Sequence, residues 1–287
     1  MPARRSTGTE TSILAAVLCL ALPVAGASAT APATANVRLY AIDCGRIRVS
    51  DMRLFADTGE LDGKPANVVA PCFLIRHPKG TLLWDTGLSD NLAGKGAVQS
   101  GIFTLSVRKT LVEQLKAVDI VPSDVTYLAF SHLHFDHTGN ANAFASATWI
   151  VNKDEVAWAK TTPPPLGVNP ESFAASATVK MQLIDGDHDV FGDGSVRILK
   201  TPGHTPGHGV LAVKLRKAGL VILSGDLYHS RENRRFKRVP VLNVERADTL
   251  ASFDRIETIV RRTKARLIVE HDLADFAGLP VFPRYLE

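Results

Sequence analysis

Cysteine is scarce in this chain, with three in 287 residues. That excludes a small disulfide-stapled scaffold, and a cysteine-based metal site is not indicated. No large excess of one charge is present either. The 33 basic and 29 acidic residues leave +4, too mild a balance to imply nucleic acid as a partner. An apolar run of the roughly 20 residues needed to span a membrane is missing. Internal repeats, heptads and low-complexity tails are missing as well, so solenoids, coiled coils and disordered tails drop out.

What the chain does have begins with an amino-terminal pattern. Arg4 and Arg5 precede an apolar stretch over 13–25, and Gly26, Ala27, Ser28 and Ala29 follow it. A charged start, a short apolar run and a small-x-small site describe a secretory signal peptide over residues 1–29. The rival reading is an uncleaved anchor. No cysteine follows the apolar run at the cleavage site, which argues against a lipid anchor there. The expectation is an exported, periplasmic or secreted protein with a mature domain over 30–287. Losing Arg4, Arg5 and Glu10 leaves 31 basic and 28 acidic residues in that domain, a net +3. Cys19 departs with the leader. Cys44 and Cys72 remain, either as a disulfide or as two buried thiols, and the sequence leaves both open.

The densest chemistry lies in SHLHFDHTGN, residues 131–140. His132, His134, Asp136 and His137 fall within six residues, although the whole chain has only nine histidines. A lone histidine is more often a core or surface residue than a ligand. Three imidazoles and a carboxylate this close together offer nitrogen and oxygen donors to a divalent transition metal.

Apolar periodicity predicts strands at 37–42, 72–76, 81–84, 125–130, 148–151, 196–199, 210–215, 220–223 and 267–269. It predicts one helix carrying Val107, Leu111, Leu115 and Val118, another with Leu250, Phe253, Ile256 and Val260 behind an Asp248 cap, and a helix opening near Gly139. Residues 161–170, with four prolines, read as a loop. Interspersed strands and helices indicate one α/β domain with sheets inside and helices outside. Four times a strand ends and a His or Asp follows within a few residues: His132, His204, Asp226 and His271. Rigid strands with functional residues on the loops at their carboxyl ends are how an α/β scaffold builds a site.

The run HLHFDH, then TPGHTPGH, then GD, then a His after a late strand resembles the metallo-β-lactamase superfamily. Asp85 in LLWDTGL, the DGDHDV segment and the VFPRY ending resemble its N-acyl-homoserine lactonase family of quorum-quenching enzymes. That resemblance implies a single-domain αββα sandwich holding two divalent metal ions, zinc foremost. It implies His132, His134 and His204 around the first ion, Asp136, His137 and His271 around the second, and Asp226 bridging them. It further implies attack on the lactone carbonyl by a metal-bridging hydroxide, with Asp136 as proton shuttle. His208, second in TPGHTPGH, would support the ligands rather than join them, and Asp85 would orient them. His77 and His188 read as ordinary surface residues.

The chain departs from the family pattern in one place. A Tyr commonly stands three residues after the bridging Asp, where His229 stands here, with Tyr228 one place earlier. We expect His229 to assist the carbonyl oxygen, with Tyr228 the alternative. Arg231 to Arg238, RENRRFKR, read as a solvated loop, and otherwise as a basic rim near the site. The implied partner is a small lactone, with no nucleic acid, no stable membrane insertion after leader removal, and a homodimer as in relatives. Residues 54–71 and 161–170 are expected to shape the pocket. The other readings are a different hydrolase of the same fold (another lactonase, a β-lactamase or a glyoxalase-type thioesterase) and a non-catalytic exported zinc-binding protein.

Overall fold

The computed structural model describes residues 36–287, with residues 1–3 and 8 at the amino end. Apart from those four positions, the leader expected over 1–29 lies outside the described residues. Two sheets face each other. The first contains β1 (Arg38–Val49), β2 (Ala66–His77), β3 (Gly80–Trp84), β4 (Val98–Ser100), β5 (Phe103–Ser106), β6 (Tyr127–Ala129), β7 (Thr148–Asn152) and β8 (Met181–Ile184), ordered β4-β5-β1-β2-β3-β6-β7-β8. The second contains β9 (His188–Asp189), β10 (Val196–Lys200), β11 (Gly209–Leu215), β12 (Gly219–Leu223) and β13 (Arg266–Ile268), ordered β13-β12-β11-β10-β9. Six α-helices accompany them among the described residues: α1 (Leu111–Leu115), α2 (Phe135–Thr138), α3 (Lys153–Ala159), α4 (Arg231–Phe236), α5 (Arg246–Thr263) and α6 (Leu273–Ala277).

Strand side chains alternate between two apolar surroundings, which is why these segments read as continuous hydrophobic runs. Phe73, Ile75, Leu82 and Trp84 of the first sheet meet Ile198, Leu211, Val213 and Leu223 of the second in the central layer. Their neighbours Leu74, Leu83 and Leu128 point outward, onto Leu111 and Leu115 of α1. Val210, Ala212 and Ile222 point outward from the second sheet onto Phe253 and Ile256 of α5. Burying each such side chain is worth about 1.5–3 kcal/mol. The result is the αββα sandwich.

Several local expectations are corrected. Only Leu111–Leu115 is α-helical in the first predicted helix; a Thr110–Glu113 capping box starts it, and Val107 lies outside. The long helix begins behind Glu245, whose side chain accepts the Ala247 N–H, so Asp248 lies in its first turn rather than at its cap. α2 starts before Gly139 and ends there. Arg231–Phe236 forms α4 behind a Ser230 cap, not a loop. Most of its charges are paired, Arg231 with Asp275, Arg234 with Glu257 and Glu232 with Arg238, while Arg235 lies over the Phe236 ring. His77 is buried, stacked on Phe191 and paired with Asp193, and is therefore no surface residue. Cys44 and Cys72 form a disulfide joining β1 to β2.

Candidate metal centre

Five strand ends deliver the site. β3 runs into Asp85, β6 into the 131–137 loop, β10 into His204, β12 into Asp226 and β13 into His271. The loops after β3 and β6 belong to the first sheet and the other three to the second, so the cluster sits on the seam of the sandwich.

Asp226, 4% exposed, is its hub. Oδ1 lies 2.8 Å from His271 Nε2 and 3.1 Å from His137 Nε2. Oδ2 lies 3.3 Å from His204 Nε2 and 3.6 Å from His132 Nε2. His134 Nδ1 is 2.8 Å from His132 Nε2 and 3.2 Å from His204 Nε2. Asp136 Oδ2 stands 3.7 Å from His271 Nε2. The donors thus separate into His132, His134, His204 and Asp226 on one side and Asp136, His137 and His271 on the other.

Further groups fix the rings. Asp85 Oδ2 contacts His137 Nδ1 at 2.9 Å, while its carboxylate accepts both the backbone N–H and the hydroxyl of Ser131. His271 Nδ1 donates to the Val69 carbonyl at 2.7 Å. His208 Nδ1 lies 3.0 Å from the Thr201 carbonyl, and its Nε2 accepts the Asp226 N–H at 2.9 Å. Both nitrogens of His208 are therefore occupied away from the donor sets.

The electrostatics favour added positive charge. Burial holds His132 and His134 well below the ordinary histidine value, so both are neutral, the form that ligates metals. Burial works to raise Asp226, yet the surrounding imidazoles, His271 foremost, keep its carboxyl well below the usual range. Burial works to lower His271, but the Asp226 carboxylate prevails and lifts it to about 9. Burial pushes Glu270 up to about 8, with Asp85 adding to the effect.

His229 and Tyr228 part company. Tyr228 has extended backbone (φ −139°, ψ 134°), so consecutive side chains point to opposite sides. Tyr228, 1% exposed, stacks on Phe253 and donates its hydroxyl to Glu257 Oε1 at 3.1 Å. That holds the Tyr228 hydroxyl on Glu257, away from the donor cluster. His229 turns the other way, Nε2 3.0 Å from Asp226 Oδ2 and its ring edge-on to Phe55. It lines a cavity of about 310 Å³ whose floor includes Asp136, Asp226 and His271. Its walls are mostly apolar, with Leu54, Phe55, Phe103, Phe135, Leu166 and Leu242 prominent. The two expected loops do contribute, but residues 66–71 are strand rather than loop, and Phe103 and Leu242 come from segments not anticipated.

Comparison with known proteins places this geometry. Residues 67–268 match the profile of the metallo-beta-lactamase superfamily. An N-acyl homoserine lactonase of Bacillus sp. is 30% identical over 261 residues, covering 87% of this chain and 98% of that protein. The chain belongs to the metallo-beta-lactamase superfamily, in its N-acyl homoserine lactonase family. The N-acyl homoserine lactonase AttM of Azorhizobium caulinodans is 28% identical, covering 88% of this chain and 99% of that protein. The solved structure of an N-acyl homoserine lactone hydrolase with N-hexanoyl-L-homoserine at its catalytic metal center superposes with a TM-score of 0.76 at 28% identity, over 87% of this chain and 98% of that one.

The residues of this lactonase-family site fit a divalent metal. His137 Nε2 and Asp226 Oδ1 are buried and, although close to one another and to His271, make no well-aligned hydrogen bond, and an all-nitrogen-and-oxygen donor set suits such ions. Sequence reading passed over Ser131, whose hydroxyl touches Asp85, His132 and His137. It also passed over Glu270, which accepts the backbone N–H of Gly225 and the indole N–H of Trp84. Glu270 adjoins His271 at a strand end, the same signal that marked the ligands. Ser131 had only its place in the motif.

Proposed function

We propose that this protein opens the lactone ring of N-acyl homoserine lactones and so degrades quorum-sensing signals. The observation that carries the reading is the gathering of six donor residues around Asp226 at the floor of an apolar cleft. The fold alone accommodates many chemistries; an apolar wall beside a hydrolytic floor suits an acyl chain attached to a polar ring.

Two divalent ions, zinc in the first instance, would be held by His132, His134 and His204 and by Asp136, His137 and His271, with Asp226 between them. When bound, they supply Lewis acidity toward the carbonyl and a water that ionises near neutral pH. The chain's own residues do the rest. The apolar walls bind the acyl tail and exclude bulk water. His229 is neutral because burial lowers its pKa; its Nε2, 3.0 Å from Asp226 Oδ2, turns its N–H from that carboxylate to the carbonyl oxygen as negative charge develops there. Asp136, partly exposed at the cleft floor, carries a proton to the ring oxygen. Water adds across the ester bond, the carbonyl carbon–ring oxygen bond breaks, and the ring oxygen leaves as a hydroxyl.

Export to the periplasm belongs to the same reading, supported by the leader pattern over 1–29 and by a disulfide of the kind kept in oxidising compartments. An amino terminus near Thr30 in the periplasmic fraction is the expected result; an intact Met1 in the cytoplasm removes this part. A homodimer is carried by family likeness alone, and a monomer by light scattering removes it.

The decisive assay is turnover of the purified protein on lactones of graded acyl length, with a β-lactam and a thioester as controls and metal analysis of the same sample. Lactone hydrolysis with about two ions per chain is expected. Hydrolysis of a control without any lactone transfers the protein to another branch of the superfamily.

A further inference from the structure

Glu155 is a carboxylate buried to 1% exposure that the chemistry above does not use. It stands in the first turn of α3 and divides its two oxygens between two distant loops. Oε1 accepts the N–H of Leu133 at 2.9 Å, and Oε2 accepts the N–H of Gly207 at 2.9 Å. Leu133 is the residue between His132 and His134; Gly207 lies between His204 and His208. The loop backbone lies flush against α3, because a Cβ at Gly207 would come within 2.5 Å of both the backbone N and the Cβ of Glu155. One side chain therefore spans the two segments that carry His132, His134 and His204. These three form a single donor set with Asp226. The other set is held by different groups, His137 by Asp85 and His271 by the Val69 carbonyl.

We infer that Glu155 is a positioning residue for one metal ion and not for the other: it fixes the His132–His134 loop against the His204 loop and thereby sets affinity at that set alone. A carboxylate suits this task because it accepts on both oxygens, and both partners are backbone donors with fixed directions. Glutamine keeps one acceptor and turns an NH2 group toward the other N–H, which releases one of the two loops. Aspartate keeps both acceptors on a stem one methylene shorter and strains the span. Ligands must be held to about 0.5 Å for full function, and removing a supporting hydrogen bond of this kind weakens metal binding about 10–100-fold. The inference rests on the two-ion reading of the site.

The test uses metal-free protein titrated with Zn2+ and with Co2+ against a chromophoric chelator, in wild type, Glu155→Gln and Glu155→Asp. Visible Co2+ absorption and thermal unfolding of the metal-free protein are recorded alongside. For wild type, two ions per chain are expected. In Glu155→Gln one dissociation constant weakens about 10–100-fold while the other stays within about threefold, and the Co2+ spectrum changes for the weakened ion only. Glu155→Asp moves the same constant by less, and it carries the comparison should the Gln variant not fold. If both constants move together, or neither moves while only the metal-free unfolding temperature falls, Glu155 is merely structural and the inference is overturned. A wild type that binds a single ion overturns the two-ion reading beneath it, a result separate from either.

Discussion

Replacing His229 and Tyr228 one at a time by Phe separates two adjacent aromatic residues that the structure turns to opposite sides. In His229→Phe the ring remains against Phe55, whose centroid is 5.1 Å away. The substitution removes one polar interaction, Nε2 with Asp226 Oδ2 at 3.0 Å, since Nδ1 has no partner. The fold should hardly notice. A preorganised donor acting alone on an oxyanion is worth about 10²–10³ in kcat; sharing that task with metal ions, His229 should be worth at least about tenfold, or about 1.4 kcal/mol. Because the hydrogen bond to substrate forms as charge develops, kcat should fall while KM stays near its original value. Tyr228→Phe removes a hydroxyl that donates to Glu257, a carboxylate still held by Arg234 Nε at 2.7 Å. The expected cost is about 0.5–1.5 kcal/mol of stability, lowering Tm by about 2–4 °C per kcal/mol for a domain of this size, with turnover unchanged. Steady-state kinetics on one lactone and thermal melts of both variants complete the comparison. Unchanged turnover in His229→Phe together with a tenfold loss in Tyr228→Phe would refute the orientation argument and return the role to the tyrosine.

Other consequences can be measured directly. Chelation should abolish hydrolysis and lower Tm, because an ion that binds only the folded state stabilises it by about 4 kcal/mol at a thousandfold excess over Kd; restored zinc should return both, and a chelated protein that melts unchanged contradicts the metal assignment. Replacing Cys44 and Cys72 by Ala opens a crosslink between positions 28 apart and should cost about 3–4 kcal/mol by loop-closure entropy, read from urea unfolding; a midpoint within error of wild type speaks against the bond. Burial works to raise Glu257, but the Arg234 guanidinium prevails and holds it below its ordinary value of 4.5. A lowered carboxyl contributes stability above its unfolded pKa and loses it as pH falls through the folded one. The Tm gap between wild type and Glu257→Gln should therefore be full at pH 7 and narrow below about pH 4; a gap that does not depend on pH excludes the ion pair as its source.

Much of the site was legible because its donors follow apolar strands. His132, His204, Asp226 and His271 each come a few residues after a run such as 220–223, and a buried strand in a two-layer sandwich is apolar on both faces and easy to see. Other features depended on information that a linear reading does not hold. The orientation of Tyr228 rests on a single extended residue after a 3-10 turn. Glu155 acts through hydrogen bonds reaching 22 residues back and 52 forward, with no local pattern to announce it. β4 and β5 are short, partly exposed strands, β4 at the sheet edge and β5 beside it, so they lack the apolar signature, and with them the Phe103 wall of the cleft went unseen. The charges of 231–238 read as a solvated loop because the partners of Arg231, Arg234 and Lys237, namely Asp275, Glu257 and Asp254, lie 17 to 44 residues away. The cysteine pair stayed undecided because pairing is a matter of distance between strands, not of spacing along the chain.

The seam position of the donors has a mechanical consequence. His132, His134, Asp136 and His137 hang from the first sheet; His204, Asp226 and His271 hang from the second. Each donor set draws on both, so a filled set acts as a rivet through the rim of the two layers. The layers could not slide or gape at this end without tearing ligands from an ion, whereas the opposite rim relies on side-chain packing and on weaker ties such as His77 with Asp193. Loading would therefore stiffen the molecule asymmetrically, and amide exchange in the strands nearest Asp226 should slow more than exchange at the far ends of the same strands. The same fastening that prepares the site for chemistry would then also govern how the sandwich comes apart.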